Sequence, residues 1–464
     1  MFLKSPSGGT AFIKVSHNAD KCNVLSIFSD KYMQQLFEAL KNRAEALKPV
    51  GVLLAGAGQM GTDLIVQLRQ MKGMSLVAVT VRSDFEKCFE ALRVAGYAEE
   101  HWRVVSTPAH YADARRQNKI AVSDDINLLL TDDGVEVVID ATGHPESGAV
   151  IATKSISARK HIVMLNVETD VTVGRYLQNL ARQNGVVYTG AAGDEPAAAA
   201  ELVFFARTLG LEVVAAGKGK NNAFDVTATP TQLEKAATDR NMNPRVLTEF
   251  VDGTKTMVEM VALANATGLR IDIAGMHGPN AELEALSDIF RLRTDGGVLH
   301  REGVADFTVG KGVAPGVFCV VKTPHSRISE RLSDLHIGKG PLFTLHRPYH
   351  LTSIETPLSA ARAVLCGQSD IVPLHTPVAE VGAVAKRDLE PGERLGRIGE
   401  CDYRGWAMDW SEARKHAALP LGLAERAVIA QPVRKGEILT TANCIPDEKL
   451  MIVQLRRKQD DLLE

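Results

Sequence analysis

The 464-residue sequence predicts an α/β protein: a doubly wound parallel sheet first, then a second α/β region, then a compact, mostly β module at the C-terminus. Three observations carry this. The apolar run Val50–Ala55 flows directly into Gly56-x-Gly58-x-x-Gly61 and a helix-like segment over 62–71. Strand-like runs then keep alternating with helix-length segments, the pattern of βαβ units. Beyond Pro377, the run Asp388-Leu-Glu-Pro-Gly392-Glu-Arg-Leu395 returns as Pro432-Val-Arg-Lys-Gly436-Glu-Ile-Leu439, each copy reading as strand, glycine turn, strand.

The glycines come in the order a Rossmann dinucleotide cradle needs. Gly56 allows the tight turn, Gly58 lets the backbone approach a pyrophosphate, and Gly61 lets helix pack on strand. Gln59 and Met60 open the helix, whose free N–H groups and dipole favour an anion. The next strand, 76–81, ends in Arg82-Ser83, about where an NAD-specific site places an acid for the ribose. An arginine and a serine suit a 2′-phosphate, which points to NADPH; the bland alternative makes Arg82 a solvated cation and gives the ribose to Asp84. The strands expected over 135–142 and 161–166 end in Thr142-Gly143 and Asn166, at the carboxyl edge where ligands bind in this architecture.

Composition narrows the class. Hydrophobic residues make up 45% and charged residues 23%, with a net charge of −3, so no basic field invites nucleic acid or an anionic membrane. The six cysteines are scattered without a CxxC pair, which argues for reduced thiols in a cytoplasm. No apolar run approaches the roughly 20 residues of a membrane span. Residues 1–30 show no period and read as an extension. A helix is expected from Tyr32, with Leu36, Leu40 and Leu47 near one face. The domains follow as 1–48 (extension and helix), 49–165 (nucleotide domain), 166–371 (catalytic α/β domain, with 346–371 returning over the first) and 372–464 (β module). In the middle region strands are expected over 186–189, 211–216 and 269–273, with helices over 195–209 and Thr254–Thr267. The tail from 456 is expected to fray.

Three clusters could carry chemistry. Asp194 and Glu195 stand at a helix start, where dipole capping is the bland alternative to a hard-metal ligand pair. Lys218 and Lys220 follow a strand on a Gly-rich loop and could clamp a phosphate or carboxylate. Asp252, Lys255 and Glu259 follow helical spacing and would share one face. They suit a divalent cation, Mg or Mn, or proton transfer during carbonyl reduction; a surface ion-pair ladder would look the same. His277, Lys311, Arg347, Tyr349 and His350 are weaker candidates. No nucleophile elbow, HExxH or Walker lysine is present, so hydrolase and NTPase readings have no support.

The runs GAGQMG, DATGHP, KHIVMLNVETD, AGDEPAAAAELV, AAGKGKNN and FVDGTKTMVEMVALANATGL resemble homoserine-dehydrogenase-like oxidoreductases. More narrowly they resemble the 1-deoxy-D-xylulose 5-phosphate reductoisomerase-like branch, and the tail resembles its C-terminal SAF domain. The resemblance covers roughly residues 33–450. True homoserine dehydrogenases carry Asn-Lys where this chain has Asn166-Val167-Glu168, which removes homoserine as the expected substrate. What the resemblance implies is an NADPH-dependent reductoisomerase of isoprenoid precursor synthesis, with Asp194 and Glu195 as metal ligands. Lys218, Lys220, Asp252, Lys255 and Glu259 would be catalytic. A dehydrogenase of another polyol phosphate or sugar acid, and a nucleotide-responsive regulator, are the alternatives. The expected partners are a small phosphorylated substrate and further copies of the chain, as dimer or tetramer. The SAF-like module offers no titratable cluster of its own, so a chain ending near Leu374 is expected to keep nucleotide binding.

Overall fold

The computed structural model describes residues 29–462, so the reading of residues 1–28 lies outside the described part. Seven parallel strands form the first sheet: β1 (Val50–Ala55), β2 (Met74–Thr80), β3 (Trp102–Val104), β4 (Ile120–Ser123), β5 (Val137–Asp140), β6 (His161–Met164) and β7 (Tyr188–Gly190). Their order is β3-β4-β2-β1-β5-β6-β7, so the chain runs outward from β1 in both directions. This is the doubly wound Rossmann-like fold, with its ligand crevice at the carboxyl ends of β1 and β5. Strand β1 is buried on both faces, which explains its unbroken apolar run. Tyr188–Gly190, expected in the second region, is the seventh strand of this sheet.

The second sheet holds β8 (Glu212–Gly219), β9 (Val304–Thr308), β10 (Val317–Lys322) and β11 (Leu342–Arg347) in the order β11-β10-β8-β9. The buried helices Glu195–Thr208 and Thr254–Thr267 pack together and against β8, joining the two sheets into one core. The strand expected over 269–273 is reduced to a single bridge between Arg270 and Val304. Side chains explain the loss. Arg270 is pulled toward Asp409 (Nε to Oδ2, 2.7 Å), and Asp272 accepts from the backbone of His300 (2.8 Å). Helix Thr352–Cys366 returns to pack on helix Gln59–Gln70, as expected.

The C-terminal module is built on two antiparallel pairs, β12 (Ala379–Ala385) with β13 (Tyr403–Asp409) and β14 (Val428–Ile429) with β15 (Cys444–Ile445). The two copies of the repeat pair with each other: Leu389 and Val433 exchange backbone hydrogen bonds of 2.8 and 3.0 Å. Gly392 and Gly436 take matching left-handed turns at φ +90° and +89°.

Two end expectations are corrected. Helix Ser29–Glu45 buries Leu36 and Leu40, but it stops before Leu47, which is 87% exposed at φ +53°. The tail does not fray. Helix Met451–Asp461 buries Arg456 against Glu380 (2.6 Å), and Gln459 donates to the Thr172 carbonyl (3.1 Å). Its first N–H groups, from Met451 and Ile452, donate to the Glu146 carboxylate at 3.0 and 2.9 Å. Among the described residues, no helix is long and apolar enough to cross a membrane.

Candidate active site

The glycine turn after β1 has the shape of a phosphate cradle. Gly56 sits at φ +98°, and a Cβ there would meet the Ala141 carbonyl oxygen at 3.0 Å. At Gly61 a Cβ would fall 2.2 Å from the Gly56 oxygen, so helix and turn can pack only around a glycine. Gly58 is different: its Cβ would meet nothing within 4 Å. That open side lies at the N-cap of helix Gln59–Gln70, where no side chain caps the N–H groups of Gln59 and Met60. Bare donors beside open space suit a pyrophosphate.

Arg82 and Ser83 are exposed where the chain leaves β2. Asp84 accepts from the Lys87 N–H at 3.0 Å as a helix cap. Thr142 lines the groove beside Gly56, and Gly143 turns at φ +58°. Asn166, expected to touch the cofactor, stands at the carboxyl end of β6 as the N-cap of the next helix. It is fully buried and donates to Asp140 (3.1 Å), Thr142 (3.2 Å) and the His144 carbonyl (3.0 Å), so it braces the loop after β5.

Beyond this end of the sheet lies a buried cluster of charges drawn from six elements. Lys218, on β8, is 6% exposed and bonds two carboxylates at 2.5 Å each: Glu195, first residue of its helix, and Glu259, from the middle of helix Thr254–Thr267. Lys255, one turn before Glu259, reaches Glu168 at 2.9 Å, at the start of the helix that follows β6. That contact ties the cluster to the nucleotide sheet. Asp252 is fully buried and accepts from Lys386 of the C-terminal module at 3.0 Å.

These placements revise the lysine loop. Lys218 belongs to a strand, not a flexible loop, and its ammonium is already consumed by two acids. Lys220, the residue after β8, donates to the Phe250 carbonyl and has no carboxylate partner among the described residues. Of the two it is the cation left for an incoming anion. Asp252, Lys255 and Glu259 share the cluster but not one face: Asp252 ends the preceding helix and turns to Lys386, while the other two turn to Glu168 and Lys218. They are not a surface ladder. Asp194 is the N-cap of its helix without a side-chain capping bond, and Glu195 stands in the first turn, where a dipole contribution adds to its bond with Lys218.

The electrostatics divide the roles. Burial would lower the Lys218 ammonium, but Glu195 and Glu259 outweigh it and hold its pKa above the ordinary lysine value. Burial raises Glu195, yet Lys218 and His350 pull its carboxyl below the usual range. Burial and the Glu195 charge push Asp194 well up and Glu259 up to about 7. Burial and the Lys218 charge bring Lys220 down to about 8. One carboxylate is therefore firmly ionised and a second takes or gives a proton near neutrality, as acid–base chemistry requires.

Oxygens of Asp194, Glu195 and Glu259 lie within 4.8 Å of one another. Three hard donors fit a divalent cation such as Mg or Mn, in exchange for the Lys218 ammonium that now bonds two of them. Sequence reasoning missed two members of this cluster, Lys386 and Glu249. Burial pushes Glu249 up to about 8. It named Glu168 only as a departure from a motif, and His350 only as a weak candidate. His350 lies 3.5 Å from Glu195.

Residues 193–356 match the model of a family described as "Oxidoreductase DRL, catalytic domain". No curated protein matches the chain. Among solved structures it is similar to a DOX-P reductoisomerase with fosmidomycin and magnesium: 17% identity over 48% of this chain and 58% of that one, with a TM-score of 0.35. It is also similar to the 1-deoxy-D-xylulose 5-phosphate reductoisomerase of Zymomonas mobilis in complex with NADPH (16% identity, 47% and 57% covered, TM-score 0.31). GenD2 from gentamicin A biosynthesis in complex with NAD shows 15% identity, with 69% and 88% covered and a TM-score of 0.35. The chain thus spans 58% of the length of the first of these relatives. The matched segment opens at Gly193 and contains Asp194, Glu195, Lys218, Lys220, Asp252, Lys255 and Glu259, so this part of the chain is similar to an oxidoreductase catalytic domain and stands beside a Rossmann-like sheet with its glycine cradle.

Proposed function

We propose that the protein is an NADPH-dependent oxidoreductase of a small phosphorylated sugar-like carbonyl, in its sharpest form a reductoisomerase of 1-deoxy-D-xylulose 5-phosphate. The observation that carries this is the division of labour between the two buried lysines. Lys218 is neutralised by Glu195 and Glu259, whereas Lys220, two residues on, bonds the Phe250 carbonyl and no carboxylate among the described residues. An anionic substrate supplies the missing charge. The reaction asks for a carbon-skeleton rearrangement that conserves atoms, then a hydride and a proton to the new aldehyde.

In this reading Lys220 holds the phosphate. Glu259, raised to about 7, takes a hydroxyl proton and returns it to the former ketone oxygen during the rearrangement, and a second proton, drawn from solvent, joins the hydride as the aldehyde becomes an alcohol. Lys218 holds Glu195 and Glu259 in place, and Lys255 holds Glu168. A divalent cation held by Asp194 and Glu195 would polarise the carbonyl and leave Glu259 for the proton. The C-terminal module, which we read as SAF-like, holds Asp252 through Lys386. Self-association into a dimer or tetramer is also proposed.

Incubation with NADPH and 1-deoxy-D-xylulose 5-phosphate, followed by NMR of the carbon skeleton, tests the sharp form. A branched polyol phosphate is expected; an unbranched one would make the protein a simple dehydrogenase of the same substrate class. Two further outcomes are expected. Arg82→Asp, which repels a 2′-phosphate and accepts from a ribose hydroxyl, should shift the ratio of NADPH to NADH affinity by about tenfold or more toward NADH in cofactor titrations. The pH profile should fall on its alkaline side. Lys220 is charged below about 8 and neutral above it, so kcat/KM for a phosphorylated substrate drops as pH rises through that value. Lys220→Arg keeps the charge and should move this limb to higher pH; an unmoved limb assigns it to another group.

A further inference from the structure

A groove of about 440 Å³ runs between the nucleotide sheet and the C-terminal module. One wall carries Gly56, Arg82, Thr142 and Lys154; the other carries Arg397, Gly422, Glu425 and Arg426. It therefore extends from the glycine turn, where a pyrophosphate belongs, past the end of β2, where the adenosine ribose belongs. We propose that the C-terminal module completes the cofactor site, with Arg397 and Arg426 binding the 2′-phosphate of NADPH opposite Arg82. This rests on the NADPH reading above and goes beyond it by assigning part of the cofactor specificity to a module outside the Rossmann sheet.

Charge in the groove favours an anion. Arg82 and Lys154 have no carboxylate partner among the described residues. Arg397 lies 3.7 Å from Glu425, and Arg426 is anchored by Asp447 at 2.7 Å from behind. The acids that face them are largely engaged. Both oxygens of Glu146 accept from Met451 and Ile452, and Glu425 is held by His144 Nε2 at 2.9 Å. His144 Nδ1 accepts from the Ser147 N–H at 3.2 Å, so the ring proton sits on Nε2 and is donated to Glu425. Asp124 is the acid left without a partner among the described residues. Arg82 and Lys154 thus stand free of carboxylates in a groove whose other two cations, Arg397 and Arg426, are positioned by Glu425 and Asp447.

The backbone points the same way. Arg426 has a left-handed φ of +64°, a conformation that side-chain-bearing residues rarely adopt. Its N–H is fixed to the Leu395 carbonyl at 3.1 Å. This turn fixes Arg426 in the wall of the groove. The His144–Glu425 bond also pins the module to the loop after β5, so the two walls keep their spacing.

Fluorescence titration of the full-length protein with NADPH and NADH tests the proposal. The Arg397→Ala/Arg426→Ala double variant should raise the Kd for NADPH by about tenfold to a hundredfold, the loss of one or two charge-assisted hydrogen bonds. Its Kd for NADH should move by less than about threefold, since only the 2′-phosphate differs. Competition by 2′,5′-ADP should weaken in parallel, and competition by 5′-ADP should not. If both dinucleotides weaken equally, the arginines only shape the groove and the proposal falls; unchanged NADPH affinity removes it as well. Circular dichroism confirms folding. If the double variant does not fold, the single Arg397→Gln and Arg426→Gln proteins carry the same comparison. Wild-type protein that binds neither dinucleotide sinks the NADPH reading itself, a failure seen before any variant is compared.

Discussion

Lys218→Met is expected to lower turnover by on the order of 100-fold or more and to destabilise the fold by about 3–5 kcal/mol. The reason is the company this lysine keeps. Glu195 and Glu259 each sit 2.5 Å from its ammonium, and neither is more than 8% exposed. Without the lysine, two buried carboxylates face each other, and one must take a proton that the chemistry needs elsewhere. Lys218→Arg restores the charge but not the shape, because a planar fork cannot replace a compact ammonium between two helices. It should recover stability more than turnover. Denaturant unfolding beside steady-state kinetics checks both halves. A Lys218→Met protein with near-normal turnover would reduce the cluster to a structural ion pair.

The second large effect concerns residues after Leu374. The apolar core runs without a break from the nucleotide sheet through Val381, Leu419 and Val453. Cutting there removes Lys386 from Asp252, Asp409 from Arg270, and the Ala379 carbonyl from the Asn265 amide (3.1 Å). Asp252, left buried without Lys386, alone costs about 3–5 kcal/mol, against a total stability of typically about 5–15 kcal/mol. A chain ending near Leu374 should therefore be insoluble or unfolded and fail to bind NADPH, contrary to what the sequence alone led us to expect. Expression followed by circular dichroism and nucleotide titration decides it. A folded, NADPH-binding fragment would show that the module only decorates the enzyme.

That contrast marks where the sequence was legible. Signals carried by neighbouring residues came through: the Gly56–Gly61 turn, helix Thr254–Thr267, and the matched Gly392 and Gly436 turns all lie where their local patterns put them. The acids and lysines of the active site were visible as clusters for the same reason. Their pairing was not. Lys218 meets Glu259 across 41 positions and Lys386 meets Asp252 across 134, and no local period announces such contacts. Helix Met451–Asp461 failed from the opposite cause: its polar face reads as solvated, yet Arg456 and Gln459 are buried by partners from other elements, Glu380 and Thr172. The β module looked self-contained because Arg397, Glu425 and Arg426 carry no motif that announces the groove they line together with the nucleotide sheet.

The most direct test of the central claim is NADPH consumption by the wild-type protein against matched pairs of carbonyl sugars, each with and without its phosphate, in the presence of Mg²⁺ or Mn²⁺. At least one phosphorylated ketose or aldose should be reduced, with kcat/KM about tenfold to a hundredfold above its unphosphorylated partner, and Lys220→Ala should erase most of that difference. Equal turnover with and without the phosphate, or a difference that survives in Lys220→Ala, would contradict the assignment of Lys220 as the anion-binding residue and of a phosphorylated carbonyl as the substrate.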